Sequence, residues 1–468
     1  MPSSRPAVAE GILREIVARK RTDLKARYDG VSLDSLRAAA TRTNRSLAAA
    51  IAQSGARFIL EIKKASPSEG AISLAADVGA IAQAYAPVAD ALSVLADSAY
   101  FGGSLDDVAT ARRHFDGPIL AKDFFVDLRQ VAEARAAGAD AILVMLSVLD
   151  DADAKAMIAE AKRFDMDTLV EVHDEAEMRR ALGLGAELIG INNRDLRDLS
   201  IDLSTTERLA LIAAGCVLVS ESGIGSRADV ERLSGKVDGF LVGTSLMRAA
   251  DPGQAARALV FGRVKLCGMR TPEDVAAAAP ATFAGFVLVP GTPRHVTVEE
   301  APPLVEAARA AGVLPVGVFR DAPVAEVAEA TTRLSLHAVQ LHGREDTAYV
   351  GALRAALGGG TEIWTAETAS AGHGPNRGGD RILFDNAVAG SGRAFDWSLV
   401  ADHPDFGRAV LAGGIGVHNA RAAQQLGVYA IDVGSSVEAS PGVKSPEKIA
   451  ALFDALRPTS RQEVRECA

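Results

Sequence analysis

Charge breaks into apolar runs of this chain at a small number of places. Glu61 and Lys63 close the run ILEIK, Lys122 sits in ILAKDF, Glu171 interrupts LVEVH, and Glu221 ends VLVSES with Ser222 beside it. Glu61 and Lys63 are two apart, hence on one face of an extended strand. Asn192 and Arg194 follow another apolar run in GINNRDL. Ionised groups in such surroundings cost several kcal/mol to desolvate unless they are paired or used. A structural ion pair or a solvated strand tip explains any one of them. Their recurrence on separate segments points to one cluster, suited to proton transfer on an anionic substrate with a lysine as acid and a glutamate as base.

The second half offers a sparser set. Cys267 ends VKLC, Asp385 ends ILFD, Arg294 follows in VPGTPRHV, and Gln340 and His342 flank the end of VQLH. A thiolate and a carboxyl facing each other make a base and an acid, for which Asp385 needs to be protonated near neutral pH through burial. The plainer readings stay open. A strand-end cysteine is often a small buried hydrophobe, Asp385 could cap a turn, and His342 could be a core histidine bonded to backbone.

These residues need elements to hold them. Short β-branched runs alternate with Ala-rich amphipathic segments from residue 57 on, and eight such runs occupy 57–243: 57–63, 90–96, 118–124, 141–147, 168–173, 188–193, 217–222 and 239–243. The count restarts with 263–268, 285–290, 314–319, 338–343, 362–366, 381–385, 409–414 and 429–434. The runs are apolar on both faces, as strands covered by helices are. Eight strand–helix repeats per half predict two consecutive (β/α)8 barrels of the α/β class, with an eight-stranded doubly wound open sheet as the rival. The expected boundaries are 1–260 for the first barrel, with 1–55 as a helical extension, and 263–468 for the second.

One pattern is written twice. Gly223 and Gly414 stand 191 positions apart in Gly-Ile-Gly turns, as do Gly243 and Gly434 in Val-Gly-(Thr/Ser)-Ser. The loops after the seventh and eighth strands of such a barrel, with a short extra helix, commonly build a phosphate site. Glycine lets backbone N–H groups approach phosphate oxygens, and a helix N-terminus adds a favourable dipole. Gly223, Gly243 and Thr244 are thus expected to hold one phosphate, and Gly413, Gly414, Gly434 and Ser435 another, with Ser245 and Ser436 able to add bonds. Tight strand–helix turns alone are the alternative.

Bulk composition narrows the rest. The 468 residues carry a net charge of −10 with 48% hydrophobic and 24% charged residues, which argues against a nucleic-acid or membrane-surface partner. Cys216, Cys267 and Cys467 are too few and too scattered for a disulfide framework or a zinc cluster, and the histidines lack ligand spacing. No metal is expected. MPSSRPAVAE has no apolar core for a signal peptide and no apolar run approaches membrane length, so a cytoplasmic protein is expected.

At this point the segments resemble known families. FILEIKKASPSEG, PILAKDF, LVEVH, IGINNRDL, VSESGI and GFLVGTSLM look like indole-3-glycerol-phosphate synthase, and the helices before them match its extension. VKLCGM, GFVLVPGTPRHV, VQLHG, GSGRAFDW, LAGGI and DVGSSVEASPGVKS look like phosphoribosylanthranilate isomerase. The resemblance implies a bifunctional enzyme of tryptophan biosynthesis, monomeric, acting on small phosphorylated anthranilate–sugar compounds without a cofactor. The second barrel would carry out an Amadori rearrangement, with Cys267 as base, Asp385 as acid opening the ribose ring and Arg294 holding the anthranilate carboxylate. The first would close the indole ring with loss of carbon dioxide and water. There Lys122 would be the acid for the carbonyl oxygen and Glu171 the acid–base partner in dehydration. Glu61, Asn192, Glu221 and Ser222 would position the ring and hydroxyls, Lys63 and Ser66 would meet the substrate, and Arg194 its phosphate. Three positions depart from the pattern: Ala389, Gly434 where asparagine often stands, and Ser445 where aspartate is common. A histidine-pathway barrel is a rival, but its paired aspartates are Glu61 and Glu171, or Cys267 and Ala366, here. The other rival is a fusion in which one barrel is a catalytically impaired binding or stabilising module.

Overall fold

The computed structural model describes residues 11–195, 198–213, 215–369, 376–386 and 394–467. Ala389 lies outside them. Helices α1 (Ile12–Arg27), α2 (Leu33–Ala39) and α3 (Leu47–Ile51) precede the first strand. Ser32 and Ser46 cap α2 and α3 by accepting from Ser35 and Ala49 N–H, satisfying donors that a helix start leaves unpaired.

The first barrel comprises β1 (Arg57–Ile62), β2 (Ala91–Leu95), β3 (Ile119–Lys122), β4 (Ala141–Met145), β5 (Asp167–Val172), β6 (Leu188–Asn192), β7 (Val217–Glu221) and β8 (Gly239–Val242). All pair in parallel and the sheet closes. Leu60 of β1 is in register with Leu92 of β2 on one side and Val242 of β8 on the other. That closure excludes the open-sheet alternative.

The second barrel repeats the plan with β9 (Val264–Cys267), β10 (Phe283–Val287), β11 (Leu314–Phe319), β12 (Ala338–Leu341), β13 (Glu362–Thr368), β14 (Arg381–Asp385), β15 (Val410–Leu411) and β16 (Ala430–Val433). Leu266 pairs with Ala284 and with Val433, closing the ring. Its interior is filled by Phe283, Val316, Ala338, Trp364, Leu383 and Val410, all essentially buried. A filled interior leaves chemistry only to the rims.

The chain divides into two compact units, one running to Ala256 and taking in the segment from Pro458 on, the other Arg257–Arg457. The C-terminal residues, expected with the second barrel, therefore belong with the first. Ala56 N–H donates to Pro458 O at 2.7 Å and Gly235 N–H to Thr459 O at 2.8 Å. Arg461 donates to Ala210 O at 2.8 Å, and Ser54 Oγ donates to Glu463 Oε1 at 2.5 Å.

Candidate active sites

Lys122 is the last residue of β3, and its Nζ lies 3.2 Å from Glu61 Oε2 and 3.0 Å from Glu221 Oε2. Lys63 Nζ approaches Glu61 Oε1 at 2.9 Å. Glu61, Glu171 and Glu221 are at most 3% exposed, so the expected cluster forms on the carboxyl ends of different strands. Burial opposes ionisation of Glu61, but Lys122 and Lys63 outweigh it and hold the carboxylate at about 2. Burial raises Glu221 to about 7 against the pull of Lys122, with Glu171 adding to the rise. For Lys122 burial works to release the proton, and the surrounding Glu221, Glu61 and Glu171 reverse that and keep it bound. The ammonium thus has a proton to give at neutral pH.

A cavity of about 400 Å³ opens above this cluster, lined by Glu61, Lys63, Ser66, Lys122 and Glu171, with Asn192, Arg194 and Ser222 on the far side. Glu221 does not line it. It sits wholly buried behind Lys122, in space that exists because residue 190 is glycine: a Cβ there would stand 1.9 Å from Glu221 Oε1. Glu221, expected to position the substrate ring and hydroxyls, makes its contact here with the Lys122 ammonium. Ser222 adopts φ 65, a left-handed conformation that costs a non-glycine residue roughly 1–3 kcal/mol and tends to persist at functional sites.

The other wall is apolar. Ile12, Leu13 and Ile16 of α1 line it together with Phe101, Phe124 and Leu143, a surface suited to an aromatic ring. Lys20, one turn beyond Ile16 on α1, reaches Asp97 and Asp123 at 2.7 Å each, fastening the helix beside the strand end that bears Lys122. Charge-in-strand reasoning overlooks this wall; the helical spacing of 12, 13, 16 and 20 was the available signal.

Gly223, Gly243 and Thr244 also line the cavity, and Thr244–Met247 forms a short helix. Arg194 and Arg248 are there too, both near Glu69, at 3.8 and 2.7 Å. The duplicated serines have a different task from the expected one. Ser245 Oγ donates to Ile224 O at 3.0 Å, and Ser436 Oγ donates to Ile415 O at 2.5 Å. In each barrel the serine after strand eight therefore clips the Gly-Ile-Gly loop after strand seven, tying together two loops that line the cavity.

The second barrel has a cavity of about 220 Å³ with Cys267, Arg294, Gln340, His342 and Asp385 on its walls, and Gly413, Gly414, Gly434 and Ser435 at one end. Gly413 and Gly414 take φ 79 and 67, which the turn requires of glycine. His342 is held by side chains: Nδ1 is 3.0 Å from Gln340 Nε2 and Nε2 is 3.4 Å from Asp385 Oδ2. That removes the core-histidine alternative. Burial pushes the Cys267 thiol up, with Lys265 pulling the other way, Asp432 adding to the rise and Lys444 opposing it. Lys265 is fully buried with Nζ 2.9 Å from Asp432 Oδ2. Both were missed, though each is a charge inside an apolar strand, the same signal that revealed the first site. Arg294 has two nitrogens on Glu438, at 2.6 and 2.8 Å, so a substrate carboxylate there would share the guanidinium with it. Ser445, a departure from the family pattern, caps the helix Pro446–Leu456 by accepting from Lys448 N–H.

Among the described residues, no group of three or more His, Cys, Asp or Glu is placed to hold a metal ion. No described helix is long and apolar enough to cross a membrane.

Two closed barrels, each with a cavity lined by titratable side chains and by glycines of the loops after strands seven and eight, have the architecture of a two-site enzyme of small molecules. Family profiles agree: residues 13–259 match indole-3-glycerol phosphate synthase and residues 264–455 match N-(5′-phosphoribosyl)anthranilate isomerase. The tryptophan biosynthesis protein TrpCF of Salmonella typhi is 42% identical over 452 residues, covering 95% of this chain and 99% of its own. That of Yersinia pestis is 41% identical, covering 95% and 94%. A solved phosphoribosyl anthranilate isomerase from Thermus thermophilus is 36% identical over 42% of this chain and 98% of its own, with a TM-score of 0.38. The chain belongs to the family of this bifunctional tryptophan-biosynthesis enzyme, with a synthase domain followed by an isomerase domain and both activities.

Proposed function

We propose that the second barrel converts N-(5-phosphoribosyl)anthranilate to 1-(2-carboxyphenylamino)-1-deoxyribulose 5-phosphate and that the first closes that product into indole-3-glycerol phosphate, with the residues divided as follows. Asp385 protonates the ribose ring oxygen and Cys267 removes the proton at C2. Gln340 and His342 hold Asp385 in place, Arg294 meets the anthranilate carboxylate, and Gly413, Gly414, Gly434 and Ser435 meet the phosphate. In the first barrel the anthranilate ring lies against the α1 wall. Lys122 protonates the carbonyl oxygen as the ring closes, and Glu171 serves the dehydration. Lys63 and Ser66 meet the substrate, Asn192 and Ser222 its hydroxyls, and Arg194, Gly223, Gly243 and Thr244 its phosphate. Glu61 and Glu221 keep Lys122 protonated and aimed.

The observation that carries this reading is the Lys122 ammonium between two buried carboxylates on the cavity wall, where a developing alkoxide can take its proton. Each cavity draws its walls from one barrel, which supports a single chain sufficient for both steps; a cytoplasmic location follows from the pathway. Glu171→Gln is expected to stop ring closure and spare isomerisation, and Cys267→Ala to do the reverse, each followed by substrate and product fluorescence. Loss of both reactions from either variant in a folded chain would overturn the two-site assignment.

A further inference from the structure

His173 follows Glu171 by two residues, at the C-terminal end of β5, and none of the steps above uses it. Its backbone N–H donates to Glu177 Oε2 at 2.8 Å, and its ring Nδ1 lies 3.0 Å from the same oxygen. A carboxylate oxygen only accepts, so Nδ1 carries a hydrogen. The other ring nitrogen, Nε2, faces Glu171 Oε1 at 3.4 Å. Both of those atoms are buried and neither has any hydrogen-bond partner. With Nδ1–H committed, two arrangements satisfy the pair: an imidazolium N–H beside a carboxylate, or a carboxylic acid O–H beside a neutral ring nitrogen. Each contains one proton between Nε2 and Oε1.

We propose that His173 is a positioning residue acting through Glu171: the two side chains share one proton, which His173 holds beside Glu171 Oε1 and returns to it after each dehydration. The inference rests on the reading of Glu171 as the dehydration acid. The balance of the reaction calls for such a supply. As the new carbon–carbon bond forms, the carbonyl oxygen takes a proton from Lys122, and the carboxylate leaves as carbon dioxide, its electron pair restoring the aromatic ring. The hydroxyl then departs with the proton of Glu171 as water, while the adjacent methylene gives up a proton to the Lys122 amine. Lys122 is restored and Glu171 is left one proton short, so one proton per turnover enters from water. No oxidant or reductant is involved. The His173 side chain is 13% exposed and that of Glu171 2%; Nε2 itself is buried and Glu171 lines the cavity, so the ring is a proton store beside Glu171, refilled by way of the pair.

The surroundings favour the protonated ring. Burial works to strip the His173 proton, and Glu177 on its own helix, Glu171 on β5 and Glu221 on β7 together outweigh it and raise its affinity. Lys122 on β3 is the cation on the far side of Glu171 and Glu221.

The test is the pH dependence of synthase kcat in the full-length enzyme with His173→Gln, a side chain that keeps a polar contact but cannot titrate. Wild type is expected to hold its activity until the shared proton is lost above the ordinary histidine range. In the variant the basic limb should fall at least one pH unit lower, with kcat at pH 8 reduced about tenfold and KM changed little. Imidazole added to His173→Ala should restore part of that kcat. Glu177→Gln, which leaves the ring in place, should move the limb down by a smaller amount and covers the case in which the histidine variants fail to fold. A basic limb that coincides with wild type in a folded variant would overturn the inference. Glu171→Gln separates the two levels: full synthase activity there defeats the reading of Glu171 itself, whereas an inactive Glu171→Gln with an unmoved His173→Gln profile defeats the shared proton alone.

Discussion

Lys122 Nζ stands 3.0 Å from Glu221 Oε2, and Glu221 is sealed off from the cavity that Lys122 enters. Under the proposed mechanism this carboxylate acts on the proton donor rather than on substrate. Lys122→Met should lower synthase kcat by a factor of about 10²–10⁴ and leave isomerisation untouched. It also leaves Glu61 and Glu221 buried without their shared cation, at a cost of about 3–5 kcal/mol at pH 8. The sign of the pH dependence follows from the carboxylates. Without Lys122 their folded affinities for protons rise above the unfolded value, so the penalty is fully present above the raised values and disappears as pH falls toward about 4.5. Thermal unfolding from pH 8 to pH 5 should therefore show the gap between variant and wild type narrowing on acidification. A gap that stays constant over that range would contradict the placement of these charges.

The twin glycines of the doubled pattern are not equivalent. A Cβ on Gly243 would stand 2.5 Å from Glu61 Oε1 and 3.0 Å from Glu61 Cβ, while one on Gly434 would meet nothing within 4 Å. Gly243→Ala should push Glu61 out of its position between Lys63 and Lys122, and a displacement near 1 Å costs a rate of order 10²-fold. Gly434→Ala should change isomerase kcat/KM by about twofold. Comparison of the two variants on both reactions measures how far the glycine of each anchor serves phosphate and how far it makes room for a catalytic carboxylate.

Lys265 and Cys267 are two apart on β9, and the buried Lys265 ammonium opposes the effect of burial on the thiol. Removing it by Lys265→Met should raise the thiol further. The thiolate is the reactive form, so alkylation of Cys267 at pH 8 should slow at least tenfold, and the rise of isomerase kcat/KM with pH should shift upward with it. Mass spectrometry of the modified peptides reads Cys267 separately from Cys216. An unchanged alkylation profile would show that Lys265 serves only Asp432.

The sequence made the barrels legible because strands buried on both faces leave unbroken apolar runs, and the same runs made inserted charge conspicuous. Lys122 and Cys267 were found that way. Lys265 and Asp432 carry the same mark, but their pairing joins the first and last strands of the barrel and is not visible along the chain. The role of Glu221 was not legible, since alternation along β7 says that a side chain points inward but not whether substrate or another residue fills the space in front of it. Lys20 was out of reach for another reason: its partners Asp97 and Asp123 are 77 and 103 residues away in sequence. Ser245 and Ser436 illustrate a third limit. A hydroxyl beside a glycine-rich turn reads as an anion donor, and only the fold reveals a carbonyl within 3.0 Å of it.

The last misplacement, that of the C-terminal residues, yields a stability prediction. The segment from Pro458 on supplies Pro458 O and Thr459 O as acceptors for Ala56 and Gly235, brings Arg461 to Ala210 O, and sets Glu463 against Ser54 and Gly55. All these partners belong to the first barrel. At about 1 kcal/mol for each such hydrogen bond, truncation after Arg457 should cost the first barrel roughly 5 kcal/mol. For a domain of this size that corresponds to a fall of about 10–20 °C in its unfolding midpoint. The expected result is selective: in one sample heated stepwise, synthase activity of the truncated chain disappears at a lower temperature while the isomerase midpoint stays where it was. Arg461→Ala should reproduce part of the fall. Were the isomerase the one to lose stability, the C-terminal segment would belong energetically to the barrel it follows in sequence, against its contacts.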